Sequence, residues 1–231
     1  MNFRLRSFSS LIGYPLIFGA VVLSLVGCGN ETTNNLFRTI DIYRNGLQGP
    51  SITREQVDAI PYASMGLQIG KGPLSLVVLG RVAGDKLHWI SADRNAFVTQ
   101  RGRLVATAGL TTNLQHTEIK DDPLLDAPRL MLLSSKEGIS YRKSLDWQPD
   151  NVYSVTLDAV LQYVGDEDLQ LLGNTIPTRH FIEKNNNNYL NWQFTNEYWV
   201  SYATGEVVKA IEYIHPELPV FKHSVYKPYR A

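Results

Sequence analysis

Leu74-Ser-Leu-Val-Val-Leu-Gly-Arg-Val-Ala83, Gly84-Asp85, Lys86-Leu-His-Trp-Ile-Ser-Ala92 is the stretch whose reading decides the fold. Two runs of branched and aromatic residues, the types that fit a pleated surface, flank a two-residue Gly-Asp loop. Glycine in the first loop position suits a type II′ turn, which matches the twist of antiparallel strands. In that register Gly80 lies opposite Trp89, and its missing side chain leaves room for the indole. Val82 and Leu87 share that face, while Leu79 and Ile90 share the other. A second hairpin, Ala96 to Gln100 and Arg103 to Thr107, turns at Arg101-Gly102, where glycine supplies a positive φ. It pairs Phe97 with Ala106 and Val98 with Val105. Both faces of this sheet are substantially apolar, whereas a sheet with one wet face alternates more cleanly. Each face therefore needs a cover. An all-β, mainly antiparallel, barrel-like or half-barrel sheet, with one or two short N-terminal helices and a filled or hollow interior, is the economical solution.

Downstream, residues 110 to 151 carry loop signals (Asp121-Asp122-Pro123, Asp126-Ala127-Pro128, Gln148-Pro149-Asp150) and one strand or helix between Arg129 and Ser134. Alternation returns at Val152. Tyr153, Val155, Leu157, Ala159, Leu161 and Tyr163 face one way; Ser154, Thr156, Asp158 and Gln162 face the other. Asparagines 185 to 188 form a turn between Thr178–Lys184 and an aromatic strand, Tyr189 to Tyr202. Thr204-Gly205 leads into Glu206–Ile214, and a last strand ends before Pro228. Upstream, Thr53 followed by Gln56 is a capping box that opens a short helix stopped by Pro61. Leu36, Ile40, Tyr43 and Leu47 recur at helical spacing.

The N-terminus has the build of an export signal. Arg4 and Arg6 precede an uncharged run from Leu11 to Val26, which ends in Leu25-Val26-Gly27-Cys28, a bacterial lipobox. Residues 1–27 are read as a lipoprotein signal peptide, 28–35 as a lipidated tether, and 36–231 as a single β-rich periplasmic domain. Cys28, the only cysteine, would carry a covalent diacylglycerol and an N-acyl chain, since one chain alone anchors only marginally. Once acylated it leaves no thiol for a disulfide or for catalysis. Gly29, rather than aspartate, follows it, and the resemblance to bacterial lipoproteins then implies the periplasmic face of the outer membrane. The chain has 22 basic and 22 acidic side chains. Cleavage after Gly27 removes only Arg4 and Arg6, so the mature chain has a net charge of about −2, which excludes a nucleic-acid protein or a polybasic membrane binder.

The signatures of common chemistries are missing. His88, His116, His180, His215 and His223 form no zinc spacing, and there is no nucleophile elbow or phosphate loop. Asp166-Glu167-Asp168 reads as a solvated turn. The tryptophans and tyrosines suit either a β-rich core or stacking on sugar rings. Trp147, in a loop-like stretch, is the aromatic least explained by packing. Arg94, Arg101 and Arg103 could form a basic edge. These four are the candidate contacts for a polymer or partner, and no catalytic residue or metal ligand stands out.

Trp89-Ile90-Ser91-Ala92-Asp93-Arg94, Val98-Thr99, Gly102-Arg103-Leu104-Val105 and Thr107-Ala108-Gly109-Leu110, followed by Tyr198-Trp199-Val200, Thr204-Gly205-Glu206-Val207 and Lys227-Pro228, resemble the signature of the YjbF-type lipoproteins. Ser201 stands where that family usually has an acidic residue. The resemblance covers most of the chain. It implies a barrel-like domain on the outer membrane that serves group 4 capsule or related exopolysaccharide production, with no known catalytic residue. The expected role is a non-enzymatic accessory, with a polysaccharide-export protein of the outer membrane, or the polysaccharide itself, as partner. A lipid or lipoprotein carrier with an apolar cavity is the alternative, and a polysaccharide-modifying enzyme a weaker one.

Overall fold

The computed structural model describes residues 51–134, 138–149 and 152–230. The lipobox, Cys28, the tether and the helical spacing of residues 36–47 lie outside the described residues. Helix α1 (Arg54–Ala59) opens with the predicted capping box: Gln56 N–H donates to Thr53 Oγ1 and the Gln56 side chain accepts from Thr53 N–H. Twelve strands follow: β1 (Ser64–Ile69), β2 (Ser75–Ala83), β3 (Lys86–Ile90), β4 (Ala96–Gln100), β5 (Arg103–Ala108), β6 (Asn113–Ile119), β7 (Gly138–Gln148), β8 (Val152–Leu171), β9 (Asn174–Asn187), β10 (Trp192–Ser201), β11 (Val207–Glu212) and β12 (Phe221–Lys227). Between β6 and β7 lie a 3-10 turn (Pro123–Leu125) and helix α2 (Ala127–Leu132).

All pairings are antiparallel, in the order β5-β4-β3-β2-β1-β12-β11-β10-β9-β8-β7-β6. The sheet curls into a nearly closed barrel in which its terminal strands, β5 and β6, come together. The exposed main-chain groups of an edge strand need partners, and at this seam side chains supply them. Leu114 N–H of β6 donates to Thr107 Oγ1 of β5 at 2.9 Å, and Leu104 N–H of β5 donates to the Glu212 carboxylate at 3.1 Å.

Both predicted hairpins form, and both depart from the predicted register through a one-residue bulge. Only Gly84 of the Gly84-Asp85 pair is left-handed (φ 63°), as a type II′ turn requires. Beyond Arg81↔His88 the pairing shifts, so Leu79, not Gly80, lies opposite Trp89. A Cβ on Gly80 would sit 2.8 Å from Ile90 Cγ1, so the space it vacates serves Ile90 rather than the indole. In the second hairpin Phe97 pairs with Thr107 and Val98 with Ala106, the shift falling between Val98 and Thr99. The bulge lets Arg103, Leu104 and Val105 all be buried in succession, where simple alternation would expose the middle residue.

Residues 110–151 hold two strands, β6 and β7, that the loop signals concealed, and the Arg129 region is helix α2. Asp166-Glu167-Asp168 is not a turn; β8 continues to Leu171 and pairs with Asn174–Arg179 of β9. The asparagine run is largely strand, with the reversal at Asn188–Asn191. Tyr153 does not join its predicted inward row and is 60% exposed, whereas Leu157, Ala159 and Leu161 are buried as expected.

The interior is filled in three levels. One apolar cluster gathers Met65, Leu67, Trp89, Phe97, Leu114, Trp147, Trp192 and Phe221. A second gathers Leu124, Leu130, Leu161, Phe181, Val200 and Val207 beneath α2. Arg179 fastens α2 over the second cluster, donating to Leu130 O and Leu133 O (2.6 Å to the latter) while stacking 3.8 Å over the Tyr163 ring. These are the carbonyls a helix C-terminus leaves unsatisfied. Between the two clusters lies a band of polar side chains.

Candidate functional site

The polar band is centred on Glu183. Alternation along β9 turns Phe181, Glu183 and Asn185 inward, and β7, β10 and β5 aim Lys143, Tyr198 and Arg103 at the same point. Glu183 Oε1 accepts from Arg103 Nη1 at 2.7 Å and from the Tyr141 hydroxyl. Oε2 accepts from Lys143 Nζ at 2.6 Å, Asn196 Nδ2 at 3.0 Å and Asn185 Nδ2 at 3.1 Å. Arg103 also forks onto Asp122 at 2.9 and 3.2 Å, and donates to Tyr198 Oη at 2.8 Å. The Tyr198 hydroxyl donates to Glu212 Oε1 at 3.1 Å, and Glu212 Oε2 lies 3.2 Å from His223 Nε2. The carboxylate accepts, so His223 carries its hydrogen on Nε2.

Burial alone would push the Glu183 carboxyl up; Arg103 and Lys143 overcome that and hold it far below the usual carboxylate range. Burial pulls Lys143 down, with Glu183 opposing. Burial likewise raises the phenols of Tyr141 and Tyr198 well above their ordinary value, with Arg103 opposing. The site is therefore a set of fixed charges in which both Glu183 oxygens are fully engaged, while Asn185 Oδ1 and His223 Nδ1 stay buried without a partner. A general acid or base needs an ordinary or tuned pKa and reach to a substrate. Glu183, fully buried, has neither.

The structure does not bring the sequence-predicted contact residues together. Trp147 is only 4% exposed; its indole N–H donates to Ile214 O at 2.8 Å and its ring packs edge-on against Trp192. Packing, not a surface role, explains it. Arg103 is interior, Arg94 sits exposed in the β3–β4 turn (φ 62°), and Arg101 occupies the β4–β5 turn (φ 51°) at the other end of β4. No common basic edge exists among them. Cys28 lies outside the described residues, and among those described no three His, Cys, Asp or Glu side chains converge as a metal group.

Glu183, Lys143, Asp122 and Glu212 went unnoticed in the sequence. Their signal was a charge at an inward position of an apolar alternation: Phe181-x-Glu183 and Lys143-x-Leu145. At the surface, the first residues of β8, Arg142 of β7 and the β9–β10 turn border a cleft of about 550 Å³ lined by Arg142, Tyr153, Asp158, Asn186, Asn188 and Tyr189 among others.

Compared with known proteins, residues 32–223 match the family described as "Group 4 capsule polysaccharide lipoprotein gfcB, YjbF". The chain is 31% identical over 198 residues to the uncharacterized lipoprotein GfcB of Escherichia coli (strain K12), covering 84% of this chain and 88% of that protein. It is 25% identical over 207 residues to the uncharacterized lipoprotein YjbF of the same strain, covering 89% and 90%. The crystal structure of the hypothetical lipoprotein YmcC from Escherichia coli (K12) superposes with a TM-score of 0.66 at 27% identity, covering 83% of this chain and 97% of that one. The barrel, its strand signature and these matches agree: the chain belongs to the GfcB/YjbF family of group 4 capsule polysaccharide lipoproteins.

Proposed function

We propose that this protein is a non-enzymatic accessory of capsule or exopolysaccharide production, anchored through acylated Cys28 to the periplasmic face of the outer membrane and acting beside a polysaccharide-export protein. Family membership supports the process, and Leu25-Val26-Gly27-Cys28-Gly29 supports the address. The observation that supports the non-enzymatic half is the saturation of Glu183: its two oxygens are taken by Arg103, Tyr141, Lys143, Asn196 and Asn185, and the side chain is fully buried. Deleting the gene is expected to lower surface polysaccharide. Complementation by wild type restores it, and Cys28→Ser, which moves the protein to the soluble periplasmic fraction, does not. Unchanged surface polysaccharide in the deletion strain overturns the assignment.

A lipid-carrier reading is favoured by one observation, a pocket of about 340 Å³ whose walls include Val82, Leu87, Trp89, Val207 and Val225. Native mass spectrometry of the domain decides it. A co-purifying lipid supports the carrier, and a bare protein mass removes it.

A further inference from the structure

The cleft between the start of β8 and the β9–β10 turn is outside the buried network and is built differently. Tyr189 is 95% exposed and Tyr153 60%, two of the three most exposed aromatic side chains among the described residues, and both line this one cleft. Val152 and Leu190 add apolar surface beside them, at 38% and 41% exposure. Large apolar side chains grouped at a surface are informative in a way that scattered ones are not.

The remaining lining is polar and planar. Asn186 Nδ2 donates to Asn188 Oδ1 at 3.0 Å and orients the exposed Asn188 amide, Ser154 and Thr156 add hydroxyls, and Arg142 and Asp158 form an exposed pair at 3.0 Å. That pair carries no net charge, so the cleft has no field for a strongly charged ligand. Its backbone is held in place. Ser154 is left-handed (φ 54°), and its N–H donates to Asp146 Oδ1 at 2.7 Å. Asn191 on the facing turn is also left-handed (φ 48°). Asn187 Nδ2 donates across to Thr156 O of β8 at 2.8 Å while its Oδ1 accepts from Leu190 N–H at 2.7 Å, tying the β9–β10 turn to β8. Non-glycine residues in this region cost energy and persist where surrounding structure over-determines them, commonly at binding sites.

We propose that this cleft binds a chain of largely neutral pyranose sugars. Ring C–H faces would lie on Tyr153 and Tyr189, and sugar hydroxyls would engage the Asn188 amide and the Arg142–Asp158 pair. Rigid aromatic faces beside fixed polar groups are what a sugar ring, apolar on its faces and polar at its rim, requires. The proposal rests on the capsule-associated reading above and names the ligand class for it.

The test is a backbone-amide NMR titration of the lipid-free domain with laminarihexaose, chitohexaose and, as the charged comparator, a hyaluronan hexasaccharide. At least one neutral hexaose is expected to shift resonances of residues 153–158 and 186–190 saturably. Tyr189→Ala and Tyr153→Ala are expected to weaken that binding at least fivefold each without moving the unfolding midpoint. Absence of any shift with both neutral hexaoses, or shifts confined to other parts of the barrel, overturns the site; so does tighter binding of the charged hexasaccharide. Surface polysaccharide in strains carrying only Tyr153→Ala and Tyr189→Ala separates the two claims. If the deletion strain loses polymer while the variant strain produces normally and the wild-type domain shows no saturable shift with either neutral hexaose, the cleft is wrong and the process assignment stands.

Discussion

At the residue scale Glu183 dominates. A buried carboxylate flanked by Arg103 at 2.7 Å and Lys143 at 2.6 Å is weak evidence for stability as a pair, because desolvation offsets much of the attraction. Removing one member is different, since two cations are then left in a dry interior. Glu183→Gln is therefore expected to destabilise the domain by about 3–5 kcal/mol, measured by urea denaturation at neutral pH. Linkage fixes the pH dependence. The folded value is depressed, so the contribution is fully present above the ordinary carboxyl value of 4.5 and is lost as pH falls below it. Wild-type stability should decline in that acid range, with a shallower decline in Glu183→Gln. The Tyr141 and Tyr198 phenols have the opposite sign. Their raised values give stability that is present below the ordinary phenol value of 10.0 and lost as pH rises beyond it.

At the scale of elements, the two bulged hairpins carry the lesson. Turn chemistry at Gly84-Asp85 and Arg101-Gly102 located both hairpins, because loop length and glycine position are local properties. The bulges at Gly80 and Val105 were not readable, because each answers to a distant contact: Gly80 to the Ile90 side chain, and the Arg103–Val105 run to the interior it fills. Gly102 shows the same dependence. Its φ of 87° suits glycine, and a Cβ there would lie 2.5 Å from Val207 O of β11. Gly102→Ala should cost at least about 1–3 kcal/mol, the usual range for a strained left-handed residue. Thermal unfolding measures it, with Gly84→Ala for comparison: that change carries the left-handed cost (φ 63°) but no clash, since its Cβ meets nothing within 4 Å, so Gly102→Ala should be the more destabilising of the two.

At the scale of the whole molecule, closure rests on few groups. Neighbouring strands elsewhere share ladders, but between β5 and β6 Leu114 N–H donates to the Thr107 side chain, while Leu104 N–H of β5 is met by the Glu212 carboxylate of β11. Replacing Thr107 by valine keeps the shape and leaves Leu114 N–H unsatisfied, a loss of about 1–3 kcal/mol. Hydrogen exchange should show Leu114 and its β6 neighbours losing protection first, while β8, β9 and β10 hold theirs. Uniform loss of protection around the barrel would mean the seam is no weaker than the rest.

What the sequence determined by itself was whatever depends on neighbours along the chain. It determined the strand character of 74–107, the capping box at Thr53–Gln56, the inward row Leu157–Leu161 and the family signature. Tertiary structure alone decided which inward side chains meet. Arg103, Lys143, Glu183 and Glu212 come from four strands, and each looks like an ordinary surface charge until the barrel closes around them. The same closure moved Trp147 from candidate contact to core and set Tyr153 and Tyr189 at one cleft from 36 positions apart. Alternation fixes which face a side chain takes, and only the folded sheet fixes what lies across from it.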